Sequence, residues 1–289
     1  MDIKNKKMKF IKSILTLILI SSVSISCSDS SDDPIAIDEN PLEGYHLLER
    51  IQANGHIVEI HSEQQGLVTG YNELFLRIKE GDRYVSDAEL SWNPLMHMTT
   101  MVHSAPKSPL TTTSDKTVHH GHLIFQMPGN EVEYWELELQ YAFGGKTYQL
   151  SQQLEVREPA DGNRTVNVFT GTDGVRYILA MMPLSPKVAI NDFSARLYKM
   201  ENMLEFLPVE GYRIALDPRM PGMGNHGSPN NVDLTYDDSL KQYTGKLSLT
   251  MTGYWKVNLK LLNAADQVLG GEDVTDDNQQ SSLFFELEF

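Results

Sequence analysis

"HLIFQMPGNEVEYWELELQY" (122–141) holds two apolar-alternating runs separated by a Met, a Pro-Gly pair and a Trp. Trp135, Leu137, Leu139 and Tyr141 fall on one side of a period of two, and Glu136, Glu138 and Gln140 on the other. That alternation marks a half-buried strand, because successive side chains of an extended chain point to opposite faces. The same arrangement returns in "KLSLTMTGYWKVNLKLL" (246–262), where Trp255, Val257, Leu259 and Leu261 alternate with Lys256, Asn258 and Lys260. Upstream, "AELSWNPLMHM" (88–98) matches "YRIALDPRMPGM" (212–223), so Pro94 aligns with Pro218 and Met96 with Met220. The offsets agree to a few residues, 124 between Met96 and Met220 and 120 between Trp135 and Trp255. Repetition at such a period predicts two copies of one unit.

Leu74, Leu76 and Ile78 alternate with polar neighbours, as do Ala88, Leu90 and Trp92, and "SSLFFELEF" (281–289) reads as a last strand. Turn-forming triplets such as "EGD" (80–82), "GGK" (144–146) and "TDG" (172–174) separate the runs. "VRYILAMMPLSP" (175–186) reads as a core strand ending in a Pro-rich turn. No segment after residue 41 sustains a helical period. The expected fold class is all-β, as two tandem Ig-like antiparallel β-sandwich domains at 42–157 and 166–289, joined by a linker at 158–165. In it Trp135 and Trp255 are core residues of equivalent strands.

The first residues read as an address. Lys4, Lys6, Lys7, Lys9 and Lys12 precede a short apolar run, Ile14 to Ile20, and "SISC" ends at Cys27. The run falls well short of the roughly 20 residues a spanning helix needs, and the charge layout is that of a secretory signal peptide at 1–26. Its end resembles the lipobox of bacterial lipoproteins, in which such a Cys is lipidated; Ser24 departs from the usual Leu. "SDSSDDP" (28–34) reads as part of a flexible acidic tether, 27–41, and resembles the export signal of surface lipoproteins in Bacteroidetes-type bacteria. The resemblance implies an envelope protein of the outer membrane, periplasm-facing or surface-exposed, held by its lipid anchor alone.

The full chain carries a formal charge of −15, and losing five Lys and one Asp with residues 1–26 takes it to −19. This charge argues against nucleic acid as a partner. Cys27 is the sole cysteine, so no disulfide and no thiolate ligand is expected in the folded part.

Two stretches crowd soft ligands. The first runs Met96-His97-Met98-Thr99-Thr100-Met101-Val102-His103, and the second Met220-Pro221-Gly222-Met223-Gly224-Asn225-His226. Both are expected to be loops that begin where a proline closes a strand. Thioether sulfur is a neutral, soft donor that prefers Cu(I) or Ag(I), and imidazole serves both copper oxidation states. In an oxidising envelope Met and His outlast Cys as ligands. Met127 and Met251 occupy equivalent places after the strands that precede each Trp; their inward phase with Phe125 and Leu249 makes core packing the competing expectation.

"PRMPGMGNHG" (218–227), lying between an alternating strand and a Met-Gly-Trp strand, resembles the Met-Pro-x-Met-x-x-His segment of YtkA-like domains. These are small extracytoplasmic β-sandwiches related to FixH-type proteins. More distantly it resembles the Met-rich loop of CopC-like copper carriers. The resemblance implies copper handling, with Met220, Met223, His226 and Met251 as ligands. It extends by alignment to Met96, His97, Met98, Met101, His103 and Met127 in the first copy, which lacks the Pro-Gly spacing. It implies a copper ion as cofactor, one site per copy, and a heavy-metal efflux system as the partner.

"VHHGH" (118–122) places His120 and His122 on one face of a strand and His119 on the other, with no counterpart in the second copy. His46, His56 and His61 are expected at the surface. No Gly-x-Ser-x-Gly elbow, His-Glu-x-x-His pair or phosphate-binding loop is present, so no enzyme is expected. The alternative to metal binding is a non-catalytic Ig-like module for adhesion, glycan binding or envelope assembly.

Overall fold

The computed structural model describes residues 40–289. The expected signal peptide, Cys27 and nearly all of the expected tether lie outside the described residues. The folded body is already under way at Asn40, whose side chain accepts hydrogen bonds from the Leu42 amide and from Arg77.

The described chain is all-β, in antiparallel sheets stacked as sandwiches, with no α-helix among the described residues. Residues 46–157 form, besides a short parallel pair of Leu67–Val68 with Val156–Arg157, two facing sheets. One runs His46–Ala53, His56–Ser62, Gly70–Glu80, His119–Phe125 and Thr111–Thr112; the other runs Lys146–Leu154, Tyr134–Phe143, Glu89–His97 and Val102–Ser104. Two hairpins set the registers. Asn54-Gly55 and Gly144-Gly145 all have positive φ, as a two-residue turn matched to strand twist requires. The register then places Ala53 opposite His56 and Phe143 opposite Lys146. The inward faces supply Leu74, Leu76, Ile78, Trp135, Leu137 and Leu139 to one core.

Residues 166–288 repeat the plan with one change. Val166–Thr170, Arg176–Met181, Ile190–Asn202 and Gln242–Ser248 match the first sheet, and Arg213–Met220 and Tyr254–Leu262 the second. Here Val232–Asp237 pairs on one side with Gln242–Ser248 and on the other with Arg213 and Ile214. The two layers therefore join along that side into one eleven-stranded sheet curled around a single core.

The ladders carry the sequence repeat residue by residue. Pro94 lies opposite Leu137, and Pro218 opposite Val257. Each indole N–H donates to the carbonyl of the Met that precedes it, Trp135 to Met127 at 2.9 Å and Trp255 to Met251 at 3.0 Å. Both Trp side chains are fully buried, so these bonds satisfy donors that would otherwise be costly to bury.

The prolines do not close their strands, contrary to expectation. Glu89–His97 runs through Pro94 and Arg213–Met220 through Pro218. Each is tolerated because the ladder to the following short strand starts only beyond it, at Leu95 and at Arg219, so no pairing on that edge needs the missing N–H.

No strand of residues 46–157 pairs with one of 166–288. The two halves nevertheless belong to one compact unit, Asn40–Phe289. They meet through a third cluster formed by Tyr71, Ile124, Ile178, Ala180 and Tyr198. His122, from the first half, sits 2.8 Å from the Tyr198 hydroxyl of the second and stacks on Tyr71.

Candidate functional site

The first Met/His stretch is a β-hairpin rather than an irregular loop. Met96 lies opposite His103 and His97 opposite Val102, and the Met98 amide donates to the Met101 carbonyl at 2.9 Å. Thr99-Thr100 forms the turn. Residues facing each other across a ladder share a face, and so do alternate residues along a strand. Met96, Met98, Met101 and His103 therefore occupy one face of the hairpin, and His97 the other. His97 stacks on Tyr134, 4.9 Å between ring centres, with its Nε2 3.8 Å from a Glu136 carboxylate oxygen.

Depth then divides the shared face. Met96, 0% exposed, is packed into the first core beside its ladder partner Trp135. Met98, Met101 and His103 lie further out and, with Met127, line one side of a cavity of about 450 Å³. Met101 is 48% exposed at the rim. The His103 Nδ1 is 2.8 Å from the Ser104 carbonyl, which can only accept, so Nδ1 carries the proton. In the neutral ring Nε2 then keeps its lone pair, the arrangement that orients many metal-binding histidines.

The other side of the cavity is the outer face of the second half. Val168 and Ile178 face each other across one ladder, Met200 and Phe206 across another. Met203, in the turn after Ile190–Asn202, completes that wall. It is held in place by a backbone bond from the Ser104 N–H to its carbonyl, 2.8 Å. Five methionines and one histidine thus line a single space. Met200 and Met203 escaped the sequence reading, since "YKMENMLEF" (198–206) looks like an ordinary strand and turn. Only the apposition of the halves gives these residues a common neighbour.

The lining holds no carboxylate. Its other polar members are Arg176, exposed at the rim, and Gln126, whose Oε1 is buried without a hydrogen-bond partner. Hard cations such as Ca²⁺ and Mg²⁺ need oxygen cages and find none here. Among the described residues no three His, Cys, Asp or Glu side chains gather to hold a metal. A soft monovalent ion fits this donor set: thioether sulfurs at flexible side-chain ends, one imidazole nitrogen, and no charge to neutralise a harder ion.

The second stretch does not converge. Met220 ends its strand 5% exposed inside the second core, and its methyl packs 3.2 Å from where a side chain on Gly253 would begin. Pro221–Met223 is a single 3-10 turn closed by Gly224 and Asn225 in left-handed conformations. This leaves Met223 58% exposed and His226 exposed, across the ladder from Met220. Met251 is half-buried against the second core. The ligand set Met220, Met223, His226 and Met251 is therefore split between interior and solvent. In the first half, Met96 belongs to the core and His97 to the opposite face.

Of the histidines expected at the surface, His56 and His61 depart from expectation and His46 does not. His56 is buried, within hydrogen-bonding distance (3.2 Å) of the Tyr141 hydroxyl, and His61 is largely covered beside Glu59, while His46 is exposed. His119 is buried with its Nε2 2.8 Å from the Ala88 carbonyl; His120 pairs with Glu73 at 2.7 Å. Burial holds the His119 pKa below the ordinary imidazole value. It drives that of His122 down to about 3, helped by the Arg196 guanidinium and by His120. His119 and His122 are thus buried members of the sheet and of the contact between halves, and burial favours their neutral form.

No family model matches the chain, and no curated protein does. Among solved structures it is similar to a DUF4785 family protein from Legionella pneumophila, at 11% identity and a TM-score of 0.25. The match covers 75% of this chain and 56% of that one. The chain thus spans little more than half the length of its structural neighbour.

Proposed function

We propose that this chain is a cell-envelope lipoprotein that binds copper as Cu(I), with Ag(I) and Cu(II) as related ions. Its role is in metal homeostasis or in delivery to an efflux system. The observation that carries the reading is the cavity where Met98, Met101, Met127, Met200, Met203 and His103 meet without a carboxylate among them. Methionine-rich linings otherwise serve core packing, where the side chains are fully covered. Here Met101 and Met203 are 48% and 38% exposed, so the lining is open to solvent. The resemblance to YtkA-like domains supports the same ion, with the ligands moved from the second Met/His stretch to the first.

The test is a titration of the purified protein with Cu(I) against a competing chelator, in parallel with Zn²⁺ and Ca²⁺. Tight, selective Cu(I) binding is expected. Binding no stronger than that of scattered surface histidines would sink the reading and leave the adhesion, glycan-binding or envelope-assembly module as the better account.

A further inference from the structure

The cavity wall comes from both halves, and neither half supplies it alone. Met98, Met101 and His103 ride on a hairpin of the first half, Met200 and Met203 on a hairpin of the second. The Ser104 N–H to Met203 carbonyl bond ties the two hairpins together one residue from His103. Elsewhere the halves touch through the apolar cluster of Tyr71, Ile124, Ile178, Ala180 and Tyr198 with its partly buried neighbours, the His122–Tyr198 contact, the approach of Arg196 to Tyr71, and the linker.

Size makes the shared wall consequential. A metal–sulfur bond is roughly 2.3 Å, so thioethers bound to one ion lie only about 4 Å apart. A space of about 450 Å³ is much wider than that. To share an ion, methionines from both walls must swing inward, which their three rotatable bonds allow. The closed arrangement then gains bonds that a parted pair of halves lacks, and binding favours it by that difference.

We infer that the cavity is one metal site completed by Met200 and Met203 of the second half, and that the ion clamps the two sandwiches together. The inference rests on the copper reading of the preceding subsection and replaces one site per copy with one per chain. Release of the ion then loosens the contact between halves, and forced separation of the halves releases the ion.

The experiment uses the full-length protein in detergent, with Cu(I) itself as the probe under oxygen-free conditions. Four proteins are compared: the unaltered chain, Met98→Leu/Met101→Leu, Met200→Leu/Met203→Leu and Met220→Leu/Met223→Leu. Leucine keeps the volume and removes the sulfur, so folding is preserved. One tight Cu(I) per chain is expected. Affinity should fall by about tenfold or more in each of the first two variants, the least that losing even a partner of a metal ligand costs. It should be unchanged in the third. A second readout is proteolysis within the linker, "REPADGNRT" (157–165), which Cu(I) should slow in the unaltered chain and not in Met200→Leu/Met203→Leu. Tight Cu(I) binding that survives Met200→Leu/Met203→Leu would overturn the shared site while leaving the copper reading intact. So would two ions per chain, one lost with Met220 and Met223. Absence of Cu(I) binding would overturn both.

Discussion

At the scale of single residues, methionines only a few places apart have unlike fates, and the two halves agree in this. Met96 and Met220 are buried, whereas Met101 and Met223 reach solvent. Truncating a buried Met leaves a cavity and typically costs about 2–5 kcal/mol, whereas Met→Leu costs less than about 1.5 kcal/mol. Met96→Ala and Met220→Ala should therefore lower the urea midpoint strongly, and the Leu variants weakly. Neither Leu variant should alter Cu(I) affinity; a loss of binding in Met96→Leu would show that its sulfur reaches the ion. The paired indole bonds to Met127 and Met251 carry a second expectation. Trp135→Phe and Trp255→Phe each remove a hydrogen bond to a half-buried carbonyl, a loss of about 0.5–1.5 kcal/mol before packing losses. Similar destabilisation by both, measured by denaturant unfolding, would show that the bonds do equivalent work. A null effect in either would assign that carbonyl to water.

At the scale of elements, the strand His119–Phe125 binds its own sheet and also faces the second half through His122 and Ile124. His122 is neutral when folded, its pKa pressed to about 3, whereas an unfolded imidazole takes its proton near pH 6.5. The folded chain thus binds fewer protons in that interval, and stability falls as pH falls. The contribution is complete above about pH 6.5 and declines by up to roughly 1.4 kcal/mol per pH unit toward pH 3. His122→Gln keeps a group able to hydrogen-bond Tyr198 and removes the titration. Its unfolding midpoint should drop less between pH 7 and pH 5 than that of the unaltered chain. Equal drops would place the acid sensitivity elsewhere, with His119 the next ring to replace.

At the scale of the whole molecule, charge and the candidate site pull in opposite directions. The chain is strongly acidic, −15 overall, yet the cavity rim carries Arg176 and no carboxylate. A guanidinium beside a bound cation raises its energy, by an amount that solvent at this exposed position reduces. Arg176→Gln should therefore tighten Cu(I) binding by a few-fold at low ionic strength, and that gain should shrink as salt screens the charge it removes. An unchanged affinity and salt slope would mean that the side chain turns away into solvent when the ion is held.

Much of the fold is legible in the chain itself. Period-two alternation around Trp135 and Trp255, the turn residues at Gly144-Gly145 and the internal repeat together specify strands and an all-β sandwich plan. These are local signals, because side-chain direction in a strand follows from parity alone. The prolines misled for a local reason too: whether Pro breaks a strand depends on which edge needs its N–H, and that is a property of the neighbour. The common face of Met96, Met98, Met101 and His103 was in principle readable once Thr99-Thr100 was taken as a turn. What only the tertiary structure decided is depth and company. It buried Met96 and Met220, left Met223 and His226 in solvent, and brought Met200 and Met203 across a gap of about a hundred residues to face Met98 and Met101. Contacts between two separately folded sheets follow from the packing of their outer faces, and no periodicity along either strand records which face meets which.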